Sequence, residues 1–372
     1  MENSAFPQAT AAAAGRWVAP TARRVALMGR YTMPAEWQPH QATWFSWPHN
    51  PGTWPQQMSR AERALAAAVA ILSQHEHVYL NVLDAAHAQQ IARLLPEQTN
   101  LAAVSFEHIA TNDAWCRDHG AIFVADAAGR LTALNFRFNA WGDKYPPYDL
   151  DDAVPPQMAA RLGVPVVRVD HVLEGGSVDV NGAGALLTTS QCLLNPNRNP
   201  DSSRGEIEAL LHEYLGAEQI FWLGDGIVGD DTDGHVDDIT RFVAEDQVIT
   251  AVEPNPDDAN HRPLAENREA LETFRLADGR SLRVVELPMP DPLLNRGERL
   301  PASYANFYIA NNVVLVPVFG CDRDQEALSI IQNCFPGRTI HGIDCRDVVV
   351  GLGTLHCLTQ QVPVIASPPG AP

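Results

Sequence analysis

Ile239-Thr240-Arg241-Phe242-Val243 and Gln247-Val248-Ile249-Thr250-Ala251-Val252 are two short runs rich in β-branched and aromatic residues. They read as a hairpin. A helical pattern follows the pair, and further strands follow the helix. That is a β-rich α/β order, not strict strand–helix alternation, and it argues against a plain doubly wound parallel sheet.

Outward from this stretch the same kinds of element recur. Strand-like runs are Val78 to Leu83, Leu131 to Phe138, Val164 to Val169, Tyr304 to Ile309, Val313 to Val318 and Val348 to Val350. Helical spacing appears at Leu65, Ala68, Val69 and Leu72. It returns at Ile207, Leu210, Leu211, Tyr214 and Leu215, with Gly216 as C-cap, and at Ala327, Leu328, Ile331, Cys334 and Phe335, closed by Pro336. No repeat is visible at the residue level, so any pseudo-symmetry must be structural. Twenty-eight prolines and 25 glycines imply many ordered loops, where sites tend to lie. Pro254 to Pro263, polar and proline-rich, is expected to be a flexible excursion.

The chain has 372 residues, 45% apolar and 19% charged, and can bury a large core. Its 26 basic against 45 acidic residues give a formal net charge of −19, which disfavours nucleic acid or an anionic membrane as partner. A small cation would be drawn in. Six cysteines without a C-x-x-C pair suggest reduced thiols in the cytoplasm, not a disulfide framework or zinc knuckle. No run of 18 apolar residues marks a membrane span. The stretch Ala11 to Ala14 lacks the basic and apolar regions of a signal peptide. We expect a disordered lead-in over residues 1–25 and one domain over 26–368, with homo-oligomerisation left open.

Five polar clusters place ionisable residues beside Gly or Trp: Thr111 to Gly120, Leu173 to Asp179, Gly229 to Asp238, Pro301 to Tyr308 and Gly351 to Gln361. In the third, an EF-hand alignment fails, because Gly229 and Thr240 stand where carboxylates are needed. His235 and Asp237, two apart, would share one face of a strand, but no second His pair completes a metal site. No G-x-S-x-G elbow is present. Taken singly, most of these residues have plain structural explanations. Cys116, Cys192, Cys321 and Cys334 read as core; Asp113 and Asp179 read as caps; Trp44, Trp47 and Trp54 read as packing. Cys357 differs, because it follows a Gly-x-Gly turn and a His. A Cys nucleophile, a His acid/base and three carboxylates together suit a planar guanidinium, which takes bidentate, charge-assisted hydrogen bonds. Thiolate attack on its carbon then needs a proton for the leaving nitrogen.

At this point the sequence resembles the agmatine deiminase family of the pentein, or guanidine-modifying, superfamily. The matching stretches begin with Met33-Pro34-Ala35-Glu36-Trp37, Trp44, Trp47-Pro48-His49 and Asn112 to Asp118. They continue with Phe138 to Gly142, Glu174-Gly175-Gly176, Leu194 to Pro200 and Thr232 to Asp237. Pro301 to Tyr308 and His356 to Gln361 with Pro363 complete them. The resemblance runs from about residue 30 to 365. It implies a five-bladed α/β propeller of ββαβ modules with a central site. It implies hydrolysis of agmatine to N-carbamoylputrescine and ammonia through a covalent Cys intermediate, with no cofactor and no metal. Position by position, Cys357 resembles the nucleophile and His235 the general acid/base. Asp118 and Asp237 resemble the pair that grips the guanidinium, Glu174 the carboxylate that contacts it and orients the His, and Trp115 a pocket wall. Two places depart from the family pattern. Gly351-Leu352-Gly353-Thr354-Leu355 stands where Gly-Gly-Gly-Asn-Ile is usual, and Ala121 where Pro is usual. The pocket beside the nucleophile is therefore expected to differ in shape. Rival readings are a deiminase of peptidyl-arginine or another small alkylguanidine, an amidinotransferase, and a silent pentein that only binds. The silent module would have no reason to keep Cys357, His235 and Glu174 together.

Overall fold

The computed structural model describes residues 30–365. The lead-in expected over 1–25 lies outside the described residues, as do both ends of the expected 26–368 domain.

The hairpin around residue 245 forms as read, with Thr240–Ala244 antiparallel to Gln247–Val252. The helix His261–Thr273 then carries the chain over to Arg283–Pro288, which pairs parallel with Gln247–Val252. A parallel neighbour needs such a crossover, since no tight turn can reverse the chain twice. This ββαβ order occurs five times. Ile122–Asp126, Leu131–Arg137, helix Val154–Leu162 and Val166–Val172 make one blade. Asp179–Val180, Ala185–Thr189, helix Arg204–Leu215 and Gln219–Leu223 make the next. After the hairpin blade comes Tyr308–Ala310, Val313–Val318, helix Asp324–Cys334 and Thr339–Asp344. The fifth blade joins the two ends of the chain. Its first strand is Thr359–Pro363, antiparallel to His40–Ser46, and helix Met58–Leu72 leads to the parallel strand His77–Asn81. That pairing closes the ring, so the fold is the five-bladed α/β propeller that the resemblance implied, and its symmetry is structural only.

Local chemistry sets the element ends. Helix Arg204–Leu215 opens with a reciprocal capping box between Ser203 and Glu206 and stops at Gly216 in the left-handed region. Middle strands such as Val313–Val318 are buried on both faces, hence their unbroken apolar sequence. Trp44, Trp47 and Trp54 are fully buried, as expected, whereas Cys321 and Cys334 are only partly so.

Several expected elements need correction. Of Tyr304 to Ile309, only the end is strand, because Ser303 and Asn306 instead bond to Asp238 and hold the preceding residues in a loop. Val348 to Val350 is not a strand, since the chain makes a 3₁₀ turn at Val349–Gly351. Val164 to Val169 shifts to Val166–Val172. Pro254 to Pro263 is tied down, with Arg299 gripping both oxygens of Asp258 at 2.7 Å and Asn260 fully buried. His235 and Asp237 lie on no strand; a 3₁₀ turn, Val236–Asp238, follows His235.

Candidate active site

Each blade delivers a polar side chain from the loop just before its first strand. Asp118 precedes Ile122–Asp126, Glu174 precedes Asp179–Val180, and His235 and Asp237 precede Thr240–Ala244. Asn306 precedes Tyr308–Ala310 and Cys357 precedes Thr359–Pro363. All five loops meet. Cys357, Asp118 and Trp115 line a cavity of about 570 Å³, while Glu174, His235 and Asp237 are fully buried beside them.

The thiol is held from two sides. Asn306 Nδ2 donates to Cys357 Sγ at 3.0 Å, and the thiol points to Asp237 Oδ2 at 3.7 Å. Asn306 Oδ1 accepts from the backbone N–H of His356 at 3.0 Å and from the Thr354 hydroxyl at 2.8 Å. Thr354, one of the departures from the family pattern, therefore orients the amide that bonds the Cys357 thiol. Leu352, the other, takes φ +73°, sparsely populated for a bulky side chain, and lines the cavity. Ala121 is fully buried in the core beside Met158.

The acidic groups are positioned as firmly. Asp118 accepts from Trp141 Nε1 and from Gly176 N, both at 3.0 Å. Arg198 Nε donates to Glu174 Oε1 at 2.6 Å with both side chains fully buried. Asp237 Oδ2 meets His356 Nδ1 at 2.7 Å. His235 Nδ1 stands 3.8 Å from Asp118 Oδ1, too far for a hydrogen bond. Gly176 is required here, because a Cβ would lie 2.6 Å from His235 Nδ1 and 2.9 Å from an oxygen of each of Asp118 and Asp237.

Four buried polar atoms of this cluster lack partners among the described residues: Glu174 Oε2, Asp237 Oδ1 and both ring nitrogens of His235. Unpartnered buried groups are costly and gather where a ligand satisfies them. Electrostatics shift these groups apart. Burial pushes the Cys357 thiol well above its ordinary range, and Asp237, Asp238 and Asp118 add to the effect. Burial opposes charge on His235, yet Asp118, Cys192 and Asp237 outweigh it and raise the ring well above the usual histidine value. Asp118 is raised by burial and by its acidic neighbours against the pull of His235. Burial opposes charge on Asp237 too, but its bond to His356 and the charges around it bring that carboxyl below its ordinary value. These directions favour a protonated thiol and a charged imidazole.

Two donor sets have the spacing of metal ligands: Glu174, Cys192 and His235, and Asp237, Asp238 and Cys357. Each is already served by positive or donor groups, Arg198 on the first and His356 and Asn306 on the second. A cation with no hydrogens to donate gains little beside them. Dialysis against a strong chelator is expected to leave activity unchanged; a loss reversed by zinc or manganese would contradict this.

A ring of five ββαβ blades closed on a buried thiol is the architecture of a pentein-type hydrolase. Comparison with known proteins narrows the class. The family model for Porphyromonas-type peptidyl-arginine deiminase matches residues 32–363, and the chain belongs to that family. A protein of Selenomonas ruminantium named "Putative agmatine deiminase" is 39% identical, covering 90% of this chain and 96% of its own. The structure of an agmatine deiminase of Enterococcus faecalis superposes with a TM-score of 0.85 at 32% identity, over 94% of this chain and 99% of that one. A cysteine-to-serine variant of C. jejuni agmatine deiminase, with substrate bound, gives 0.82 at 32% identity over 89% and 96%. With these relatives, the chain is an enzyme of the agmatine deiminase type.

The sequence reading thus named Cys357, His235, Glu174, Asp118, Asp237 and Trp115, and the structure brings all six together. It missed the parts played by Asn306, Trp141, Arg198 and His356. All four stand within its motifs, but contacts made between blades carry no local signal.

Proposed function

We propose that this enzyme hydrolyses agmatine to N-carbamoylputrescine and ammonia through a covalent intermediate on Cys357. The observation that carries the reading is a pair of buried, unpartnered carboxylate oxygens, Glu174 Oε2 and Asp237 Oδ1, on two of the loops that meet Cys357, whose thiol lies 3.7 Å from Asp237 Oδ2. A guanidinium offers five N–H donors in one plane to such acceptors. Asp118 and Asp237 would grip it and Trp115 would flank its alkyl chain. As the cation enters, it offsets the acids around the sulfur and the thiol loses its proton to solvent. Sulfur then attacks the central carbon. His235, already charged, gives a proton to the departing nitrogen, which leaves as ammonia. The neutral ring next takes a proton from water attacking the thiouronium carbon, and the C–S bond breaks to release the ureido product and the thiol.

The cavity is also lined by Asp113, Asp151 and Asp231, of which Asp151 faces His119 and Asp231 bonds Lys144. Asp118, Glu174 and Asp237 at its centre, in a chain of formal net charge −19, suit a substrate with a distal ammonium and repel an α-carboxylate, a mismatch that can cost several kcal/mol when desolvated. The candidate counter-cations are engaged: Lys144 bonds Asp231 and Asp233, and Arg198 bonds Glu174 and Asp233. Ammonia release measured over agmatine, arginine and a peptidyl-arginine is expected to give at least about a hundredfold higher kcat/KM for agmatine. Near-equal values would sink the agmatine assignment, and release of the diamine without ammonia, only when an acceptor amine is present, would favour an amidinotransferase. We place the reaction in the cytoplasm, a reading supported by six unpaired cysteines. No helix of the described residues is long and apolar enough to cross a membrane.

A further inference from the structure

We infer that His356 is a positioning residue for the guanidinium grip: bridging Glu36 and Asp237, it holds Asp237 ionised with one oxygen left for substrate. The inference rests on the guanidine-hydrolase reading above and adds to it a residue that does not itself touch substrate.

His356 is buried, with Nδ1 2.7 Å from Asp237 Oδ2 and Nε2 2.7 Å from Glu36 Oε2. An ionised carboxylate only accepts hydrogen bonds. A ring between two of them satisfies both only with a proton on each nitrogen; a neutral ring would turn a lone pair towards one carboxylate. The backbone of His356 is fixed as well, its N–H donating to Asn306 Oδ1 and its carbonyl accepting from Arg117 Nε at 3.3 Å.

The surroundings favour this charge arrangement. Glu36 also faces Arg117 at 3.3 Å and Arg241 at 3.0 Å, and Ile309 N donates to its other oxygen at 2.8 Å. Arg241 is paired in turn with Asp179. Burial opposes the charge on Glu36, but Arg241, His356 and Arg117 hold its carboxyl well below the usual range. At the other end, Asp237 faces Cys357, His235 and the acids Asp118, Asp230 and Asp238, with Tyr308 lying near Glu36. Without a proton donor on Oδ2, Asp237 would be one of four crowded acids and the one nearest the thiol. With it, Oδ2 is used and fixed, and Oδ1 remains without a partner among the described residues. Geometry and charge for the grip are thus set from beneath.

Two variants test this. His356→Phe removes both donors, and His356→Asn keeps an amide N–H near the place of Nδ1. His356→Phe is expected to lower kcat/KM for agmatine about a hundredfold or more. It should also move the acid limb of the kcat/KM–pH profile upward by about one unit or more, since Asp237 must be ionised to bind. His356→Asn should recover at least about tenfold of the loss, with a limb nearer the parent's. A merely structural histidine would lower activity without moving the limb. A folded His356→Phe with an unmoved limb overturns the inference. So does an asparagine variant no better than phenylalanine.

One readout needs no substrate. In protein labelled with ¹⁵N-histidine, the ring signals lost in His356→Asn are expected to show a proton on each nitrogen, as the two carboxylate contacts require. A neutral single tautomer there overturns the inference even if agmatine is turned over. Should the parent enzyme hydrolyse no guanidine, the functional reading falls by itself and the ring's protonation still decides this one.

Discussion

Small uncharged alkylating reagents are expected to label Cys357 slowly at neutral pH, with a rate that climbs only in alkali. An ordinary thiol titrates near ~8.5. Here burial and the negative field of Asp237, Asp238 and Asp118 push it well higher, against a single amide hydrogen bond from Asn306. Each unit of upward shift removes about tenfold of the thiolate at any pH below it. The alternative is a resting thiolate–imidazolium pair, as in other cysteine hydrolases, which would label quickly near pH 7. The charge on His235 does not create that pair, because it is held up by Asp118, Cys192 and Asp237 against the cost of burial. A reagent carrying its own amidinium should react much faster, since it brings the positive charge that a bound substrate would. Cys357→Ser should lose both labelling and turnover. Rapid labelling at neutral pH by the uncharged reagent would remove substrate-assisted activation and leave the family assignment standing.

Asparagine at position 237 is expected to cost more than asparagine at 118. In Asp237→Asn the amide must keep its oxygen towards His356, which turns an NH₂ group into the place of Oδ1. Donor then faces donor when a guanidinium arrives. In Asp118→Asn both oxygens already accept, from Trp141 and Gly176, so the new NH₂ opposes one of these and the binding charge is lost as well. Losing such a charge-assisted contact costs about 2–4 kcal/mol of transition-state stabilisation, or roughly one and a half to three decades in kcat/KM. Thermal melting beside the kinetics separates this from unfolding. If either variant keeps most of its activity, that aspartate is structural and does not grip substrate.

What could be read from the sequence, and what could not, follows from the range of the interactions involved. The hairpin at 240–252 and the helix ended by Gly216 are local and declared themselves. The five polar clusters proved to be the five loops that precede the blades' first strands, although nothing in one sequence says that they converge. Tyr304 to Ile309 misled because apolar content suggests strand, whereas Ser303 and Asn306 are occupied with Asp238. Glu36 and His356 went unassigned for a different reason. They lie 320 positions apart, and a buried charge looks in sequence like a surface one until its partner is known.

Cys357 stands two residues ahead of Thr359–Pro363, the strand whose pairing with His40–Ser46 closes the ring. The elements of the other four blades, with Asp118, Glu174, His235 and Asp237, all come before Cys357 in chain order and so are made before it. The pairing that closes the ring is thus also the one that brings Cys357 to the other four loops.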